Sequence, residues 1–255
     1  MAMNDGVIPP TPWELKIARA HNENFFRAAL PEFKGVWEQA SPFTMLSRER
    51  VYHVYKAVLY CLQNKICGDF VQVGVWAGGG LVAIAKSLEL YFGSSMIPEF
   101  GSRTLIWGFD TFEGHGRPGE HEIDIWGTSQ AVVYDELMDG GWASVSKEEV
   151  QKNLLTCLGS LNGINLVKGR CEATLPDLAP DKVSVLIIDV DWFESTYSSL
   201  THLWPRLAVG GILICDDYGH HSGARDAIDQ YFTEIGEAPF FTHIDYSCIS
   251  AVKSK

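Results

Sequence analysis

Residues 186–192 read LIIDVDW, and residues 210–221 read GGILICDDYGHH. Each is an apolar run that ends in carboxylates: Asp189 and Asp191 after the first, Asp216 and Asp217 after the second. Carboxylates are costly to bury without compensation. If the two runs are neighbouring parallel strands, about 4.8 Å apart, then Asp189, Asp216 and Asp217 meet at the carboxyl edge of one sheet. Open α/β sheets bind their ligands at that edge. Three anions so close together call for a cation, and an all-oxygen set selects a hard ion: Mg²⁺, with Mn²⁺ or Ca²⁺ as substitutes. Asp191 lies roughly 6–7 Å farther along an extended chain. It can reach the same pocket without taking the same ion, which makes it a candidate general base. The plainer alternative is a set of solvated loop acids and helix caps, with Asp191 and Glu194 leading into a helix.

A second constellation precedes this one. The run VQVGVWAGGG (71–80) places a glycine-rich turn between an apolar strand and a helix. Such a turn lets backbone approach a ligand and aims helix N–H groups at it. The dinucleotide fingerprint G-x-G-x-x-G is not met, because Val75, Trp76 and Ala77 separate Gly74 from Gly78. The G-x-x-x-G spacing is closer to the turn used for S-adenosylmethionine. Asp110, at the tip of GFDTFEG (108–114), is placed to take both hydroxyls of a ribose. Its alternative is a helix N-cap. Among the histidines, His220 and His221 follow the second acid pair, and His115 and His121 lie in a long loop; any of them could orient a substrate or join a metal shell. His53, beside Tyr52 and Tyr55, reads as structural. Trp192, Phe193 and Trp204 read as packing residues before pocket residues.

The elements that must hold these residues alternate. Short β-branched runs occur at 69–75, 104–109, 164–169, 183–188, 211–215, 240–245 and 248–253. Helical stretches are expected at 79–92, 147–158, 194–204 and 222–235, with Ser146 and Glu149 as a capping box for the second. Such alternation predicts a parallel sheet covered on both faces. The last two runs are separated only by Tyr246 and Ser247, so one edge is expected to be an antiparallel hairpin. The first 68 residues read as helical, with Ser47 as an N-cap. They are expected to form a cap on an α/β core over 69–255, within one domain. Segment 113–145 is too long for an ordinary connection and reads as a lid or substrate loop.

The 255 residues are 46% hydrophobic and 20% charged, which excludes a disordered chain. A net charge of −12 argues against nucleic acid or an anionic membrane surface as the main partner. No apolar stretch approaches the ~18 residues of a membrane span, and the N-terminus lacks the layout of a signal peptide. The six cysteines include no C-x-x-C pair and read as reduced thiols, so the cytoplasm is the expected compartment.

Taken together, SRERVYHVYKAV, GDFVQVGVWAGGG, FDTFEG and the long run from DVDWFES to DDYGHHSGARDAIDQYF resemble the macrocin O-methyltransferase family. The similarity runs from about residue 40 to 232. It implies a class I methyltransferase-like Rossmann sheet of seven strands, mostly parallel with one antiparallel edge strand. It also implies an enzyme that uses S-adenosylmethionine and Mg²⁺ to methylate a sugar or phenolic hydroxyl of a small natural product, and it permits a homo-oligomer. By the same resemblance Asp189, Asp216 and Asp217 are metal ligands and Asp191 is the base. Gly74, Trp76, Gly78 and Asp110 match cofactor positions, and Cys171 and Glu172 lie in the loop bordering the adenine. Three positions depart from the family pattern: Gln72 where an acid is usual, Ala77 where arginine is usual, and His221 where an aromatic residue is common. Two other readings stay open. One is a nicotinamide oxidoreductase, disfavoured by the glycine spacing; the other is a non-catalytic binding module, disfavoured by the intact aspartate set.

Overall fold

The computed structural model describes residues 29–93, 105–138 and 143–255, together with residues 11, 13, 16 and 24–26. Most of the helix expected within 13–30 lies outside the described residues. Helices α1 (Phe33–Ala40) and α2 (Arg48–Gln63) lead into strand β1 (Asp69–Val73) and helix α3 (Gly79–Phe92). Strand β2 (Ile106–Asp110), the short helix α4 (Gln130–Val133) and helix α5 (Lys147–Leu158) follow, then β3 (Ile164–Lys168) and α6 (Cys171–Leu178). The chain continues through β4 (Val183–Ile188), α7 (Phe193–Leu203), β5 (Leu207–Cys215) and α8 (Ser222–Glu234), and ends in β6 (Thr242–His243) and β7 (Ile249–Val252).

The seven strands form one sheet in the order β3-β2-β1-β4-β5-β7-β6. β1 to β5 are mutually parallel, and β7 pairs antiparallel with both β5 and β6. The antiparallel strand thus sits one place in from the edge, inserted between β5 and the two-residue β6. Successive side chains of a strand point to opposite faces, and β4 is apolar on both. Val185 and Ile187 join a core with Val51, Val58, Leu81 and Leu154, from α2, α3 and α5. Leu186 and Ile188 join another with Leu175, Leu200, Leu203 and Phe232, from α6, α7 and α8. This is why the strand reads as a continuous apolar run and not as an alternating one.

The N-terminal cap packs onto the first face. Ser47 Oγ accepts the Arg50 N–H at 3.2 Å and starts α2. Val51, Val54, Val58 and Cys61 then recur at helical spacing and are buried. Helix α5 has the expected bounds, capped by Ser146 Oγ accepting the Glu149 N–H at 3.2 Å. Several elements differ from expectation, among them the run 240–245, of which only Thr242–His243 forms a strand. Residues 171–178, read as loop, form α6, which tolerates Pro176 in its interior. Strand β5 begins at Leu207, four residues early, because a register irregularity between Val183 and Val185 absorbs the extra residues. No described helix is long and apolar enough to cross a membrane, and all six cysteines are free.

Candidate active site

The strand order reverses between β1 and β4: from β1 the chain proceeds to β2 on one side, and from β4 to β5 on the other. A crevice opens at the carboxyl ends there. It is a cavity of about 920 Å³, within the range of small-molecule sites. Gly74 makes its floor possible. At φ +86°, an added Cβ would lie 1.7 Å from the Asp189 carbonyl oxygen, so the exits of β1 and β4 touch only because that position has no side chain. Trp76 and Asp191 also lie in the left-handed region, at φ 47° and 61°. For residues other than glycine this costs on the order of 1–3 kcal/mol and concentrates at functional sites. The Asp217 carboxylate holds the Asp191 turn by accepting its N–H at 3.2 Å.

Asp110 is bound to the glycine turn rather than standing free. Its Oδ2 accepts the N–H groups of Val75 (2.7 Å) and Trp76 (3.1 Å), and its Oδ1 accepts that of Phe112 (2.7 Å). It caps no helix. Gln72 donates from Nε2 to the Gly74 carbonyl at 2.8 Å, a bond that an acid at this position could not make. Its buried Oε1 has no hydrogen-bond partner.

Asp189, Asp216 and Asp217 each offer an oxygen within 4.8 Å of the others. Burial, and then repulsion from neighbouring aspartates, push all three carboxyls up: Asp216 to about 8, by Asp217 and opposed by Arg50, Asp189 well above the usual range by Asp216 and Asp217, and Asp217 likewise by Asp191. Burial also raises Asp191, to about 6, against the hydrogen bond to Asp217 that lowers it. Asp191 adjoins that trio through Asp217 and faces two imidazoles. His115 Nε2 lies 3.2 Å from its Oδ2, and His221 Nε2 lies 3.8 Å from its Oδ1. Trp192 sits between the two imidazoles, its ring centre 5.6 Å from that of His115 and 5.2 Å from that of His221. Its Nε1 donates to the Gly116 carbonyl at 3.0 Å, which ties the long loop to the acid cluster.

Arg50 brings the opposite charge. Its guanidinium pairs with Asp216 and forks onto Asp245, with Nε at 2.6 Å and Nη2 at 3.0 Å. Burial alone would raise Asp245, but Arg50 and the N–H groups of Ser247 and Cys248 hold it down to about 2.

The profile of a known family, described as Macrocin-O-methyltransferase (TylF), matches residues 19–252. The chain belongs to the macrocin O-methyltransferase family. It is therefore an O-methyltransferase of the S-adenosylmethionine-dependent class. It is 29% identical over 232 residues to the demethyldecarbamoylnovobiocin O-methyltransferase of Streptomyces niveus, covering 89% of this chain and 83% of that one. It is 27% identical to the mycinamicin III 3''-O-methyltransferase of Micromonospora griseorubida, covering 79% and 75%. The solved structure of the O-methyltransferase NovP superposes with a TM-score of 0.71 at 28% identity, covering 84% of this chain and 83% of that one.

In this methyltransferase Gly74, Trp76, Asp110, Cys171, Glu172, Asp189, Asp191, Asp216 and Asp217 all line the one cavity. Gly78 does not; it caps α3 in the left-handed region and would contact Val150 and Leu154. Cys171 and Glu172 open helix α6, so they present a helix N-terminus to the cavity and not a loop. Trp192 and Phe193, read as packing residues, are cavity walls, and Trp204 is core. Of the histidines, His115 and His221 flank Asp191, His121 lines the wall, and His220 pairs through Nδ1 with the Tyr246 hydroxyl at 3.1 Å. His53 is half-buried on α2. Sequence reading missed Arg50, Asp245 and Glu122. The only signal for Arg50 was its place in SRERVYHVYKAV. Glu122 is buried and accepts the N–H groups of Gly119 (3.0 Å) and Phe193 (3.3 Å), which fastens the long loop to the start of α7.

Proposed function

We propose that this methyltransferase transfers the methyl group of S-adenosylmethionine to a hydroxyl of a small natural product, assisted by Mg²⁺ or a similar divalent cation. The observation that carries the reading is the convergence, in one cavity, of a glycine turn with three carboxylates and a fourth acid, Asp191, beside Asp217. The donor set fits a hard cation, because Asp189, Asp216 and Asp217 offer oxygen alone and repel one another. The turn fits the methyl donor: its backbone lines the cavity beside the acids, and Asp110, fixed there by three N–H groups, lines the same cavity.

Bound S-adenosylmethionine supplies the electrophilic methyl, and a bound cation supplies positive charge beside the acceptor oxygen. The chain supplies the rest. Asp191 accepts the hydroxyl proton as the oxygen–methyl bond forms and the sulfur–methyl bond breaks, leaving S-adenosylhomocysteine. His115 holds the far carboxylate oxygen of Asp191, and Trp192 fixes His115. The loop 113–122 walls the cavity and limits water, favouring in-line approach. A sugar hydroxyl is the favoured acceptor, since one relative, from Streptomyces olivaceus, is named for the 4'-O-methylation of a rhamnosyl tetracenomycin.

Calorimetric titration of S-adenosylhomocysteine into cofactor-stripped protein, with NAD as control, tests the donor. Micromolar binding of the first and none of the second is expected. A panel of glycosylated and phenolic acceptors, assayed with Mg²⁺ and with EDTA, tests the rest; equal turnover in both conditions would refute the cation's part.

A further inference from the structure

One imidazole lies inside the acid cluster. A ring nitrogen of His221 and oxygens of Asp191 and Asp217 lie within 4.8 Å of one another, in a set that shares Asp217 with the all-oxygen trio. His221 is only 7% exposed, yet its Nδ1 has no hydrogen-bond partner, and its Nε2 is 3.8 Å from Asp191, beyond hydrogen-bond reach. Buried polar atoms are nearly always satisfied, so an imidazole with one unmatched nitrogen, whose other nitrogen faces a carboxylate at 3.8 Å, is suited to take a further partner. Its position is held by ring edges, those of Trp192 at 5.2 Å and His220 at 4.6 Å, rather than by hydrogen bonds.

We propose that Asp191, Asp217 and His221 form a second divalent-cation position, selective for ions that accept nitrogen ligands, and that filling it withdraws Asp191 from proton transfer. The separation fits: three ligands at about 2.0–2.2 Å from one ion can all lie up to about 3.8 Å apart, the distance already found between His221 Nε2 and Asp191 Oδ1, so a shift of at most about 1 Å closes the set. The chemistry separates the two positions. Mg²⁺ prefers oxygen and takes Asp189, Asp216 and Asp217, whereas imidazole favours Zn²⁺ and Co²⁺. Asp217 has two oxygens and can serve both positions, as bridging carboxylates do in two-metal sites, whose ions lie about 3.5–4 Å apart. The consequence is inhibition: an ion at the second position occupies the carboxylate that would take the acceptor's proton. This consequence rests on the reading of Asp191 as the base, whereas the position itself does not.

Co²⁺ is the probe. Equilibrium dialysis of the Mg²⁺-saturated protein is expected to show one further Co²⁺ bound, with the hyperfine signature of a histidine nitrogen. His221→Phe keeps a ring against Trp192 and should weaken Co²⁺ at least about tenfold, with the Mg²⁺ affinity moving less than about threefold. Turnover in saturating Mg²⁺ should fall with the same Co²⁺ midpoint as binding. Absence of nitrogen coupling in the unmodified protein, or equal Co²⁺ affinity in His221→Phe, overturns the position. Full turnover with Co²⁺ bound there overturns the inhibition. Failure of the underlying reading looks different: near-normal turnover of Asp191→Asn defeats the base and leaves the dialysis result standing.

Discussion

Replacing Arg50 by methionine removes the one guanidinium that, among the described residues, reaches from the N-terminal cap into the acid cluster. The stem length is kept, but Asp216 and Asp245 lose their shared cation. Breaking a buried ion pair by deleting one partner destabilises by about 3–5 kcal/mol. For a chain of this size each kcal/mol shifts the melting midpoint by about 2–4 °C, so Arg50→Met should melt about 6–20 °C lower in EDTA. The loss depends on pH with a defined sign. Asp216 titrates near 8 in the fold against 3.8 unfolded, so the folded state binds more protons and stability falls as pH rises between those values. Asp245 titrates near 2, so the stability it contributes is present above about 4 and is lost only as pH falls through 2. With Arg50 gone, Asp245 is a carboxylate without its cation above about pH 4, whereas Asp216 stays protonated at pH 5 and is driven to ionise only near pH 8 and above, so the deficit relative to the unmodified protein should be larger at pH 8 than at pH 5. Mg²⁺ at pH 8 should recover part of it through Asp216 and none through Asp245; Asp245→Asn in the same background should recover more. Scanning calorimetry at both pH values, with EDTA and with Mg²⁺, reads all of this. A midpoint within about 2 °C of the unmodified protein at pH 8 in EDTA would refute the account of Arg50 as the cluster's counter-charge.

Other expectations follow from the same geometry. Asp191→Asn should lower kcat by about 10²–10⁴ with S-adenosylhomocysteine affinity within a few-fold, and unaltered kcat would remove Asp191 from proton transfer. Asp189→Asn should abolish Mg²⁺ binding measured by calorimetry, and retained affinity would move the ion elsewhere. In EDTA the unmodified protein should lose stability between pH 5 and 8, because Asp189, Asp216 and Asp217 are all raised; the stabilisation by Mg²⁺ should grow over the same interval, and a flat difference would count against a cation at this set. Gly74→Ala would place a Cβ 1.7 Å from the Asp189 carbonyl oxygen, and should yield protein that is insoluble or unable to bind S-adenosylhomocysteine; a soluble, binding-competent variant would contradict the close approach of β1 and β4.

The sequence by itself determined the periodic elements and the strand tips. The apolar run 183–188 is a buried strand with those bounds, helix 147–158 begins at its serine cap, and the carboxylates after β4 and β5 meet because parallel neighbours end at the same edge. These are local or nearest-neighbour consequences of side-chain period and sheet spacing. Helix α6 was hidden because Pro176 reads as a breaker, although an eight-residue helix packed through Leu175 can lose that one N–H. The environment of the site was decided only by the tertiary structure. Arg50 meets Asp245 across 195 positions of chain, and His115 meets Asp191 across a long loop whose composition fixes no path. Asp110, placed correctly at its strand tip, turned its oxygens onto the glycine turn because the N–H groups of Val75 and Trp76 converge there once the turn is folded. Spacing along the chain could name the acids, but their partners come from elements that pack together, and so which acid holds an ion, which takes a proton and which pairs with arginine depends on the fold.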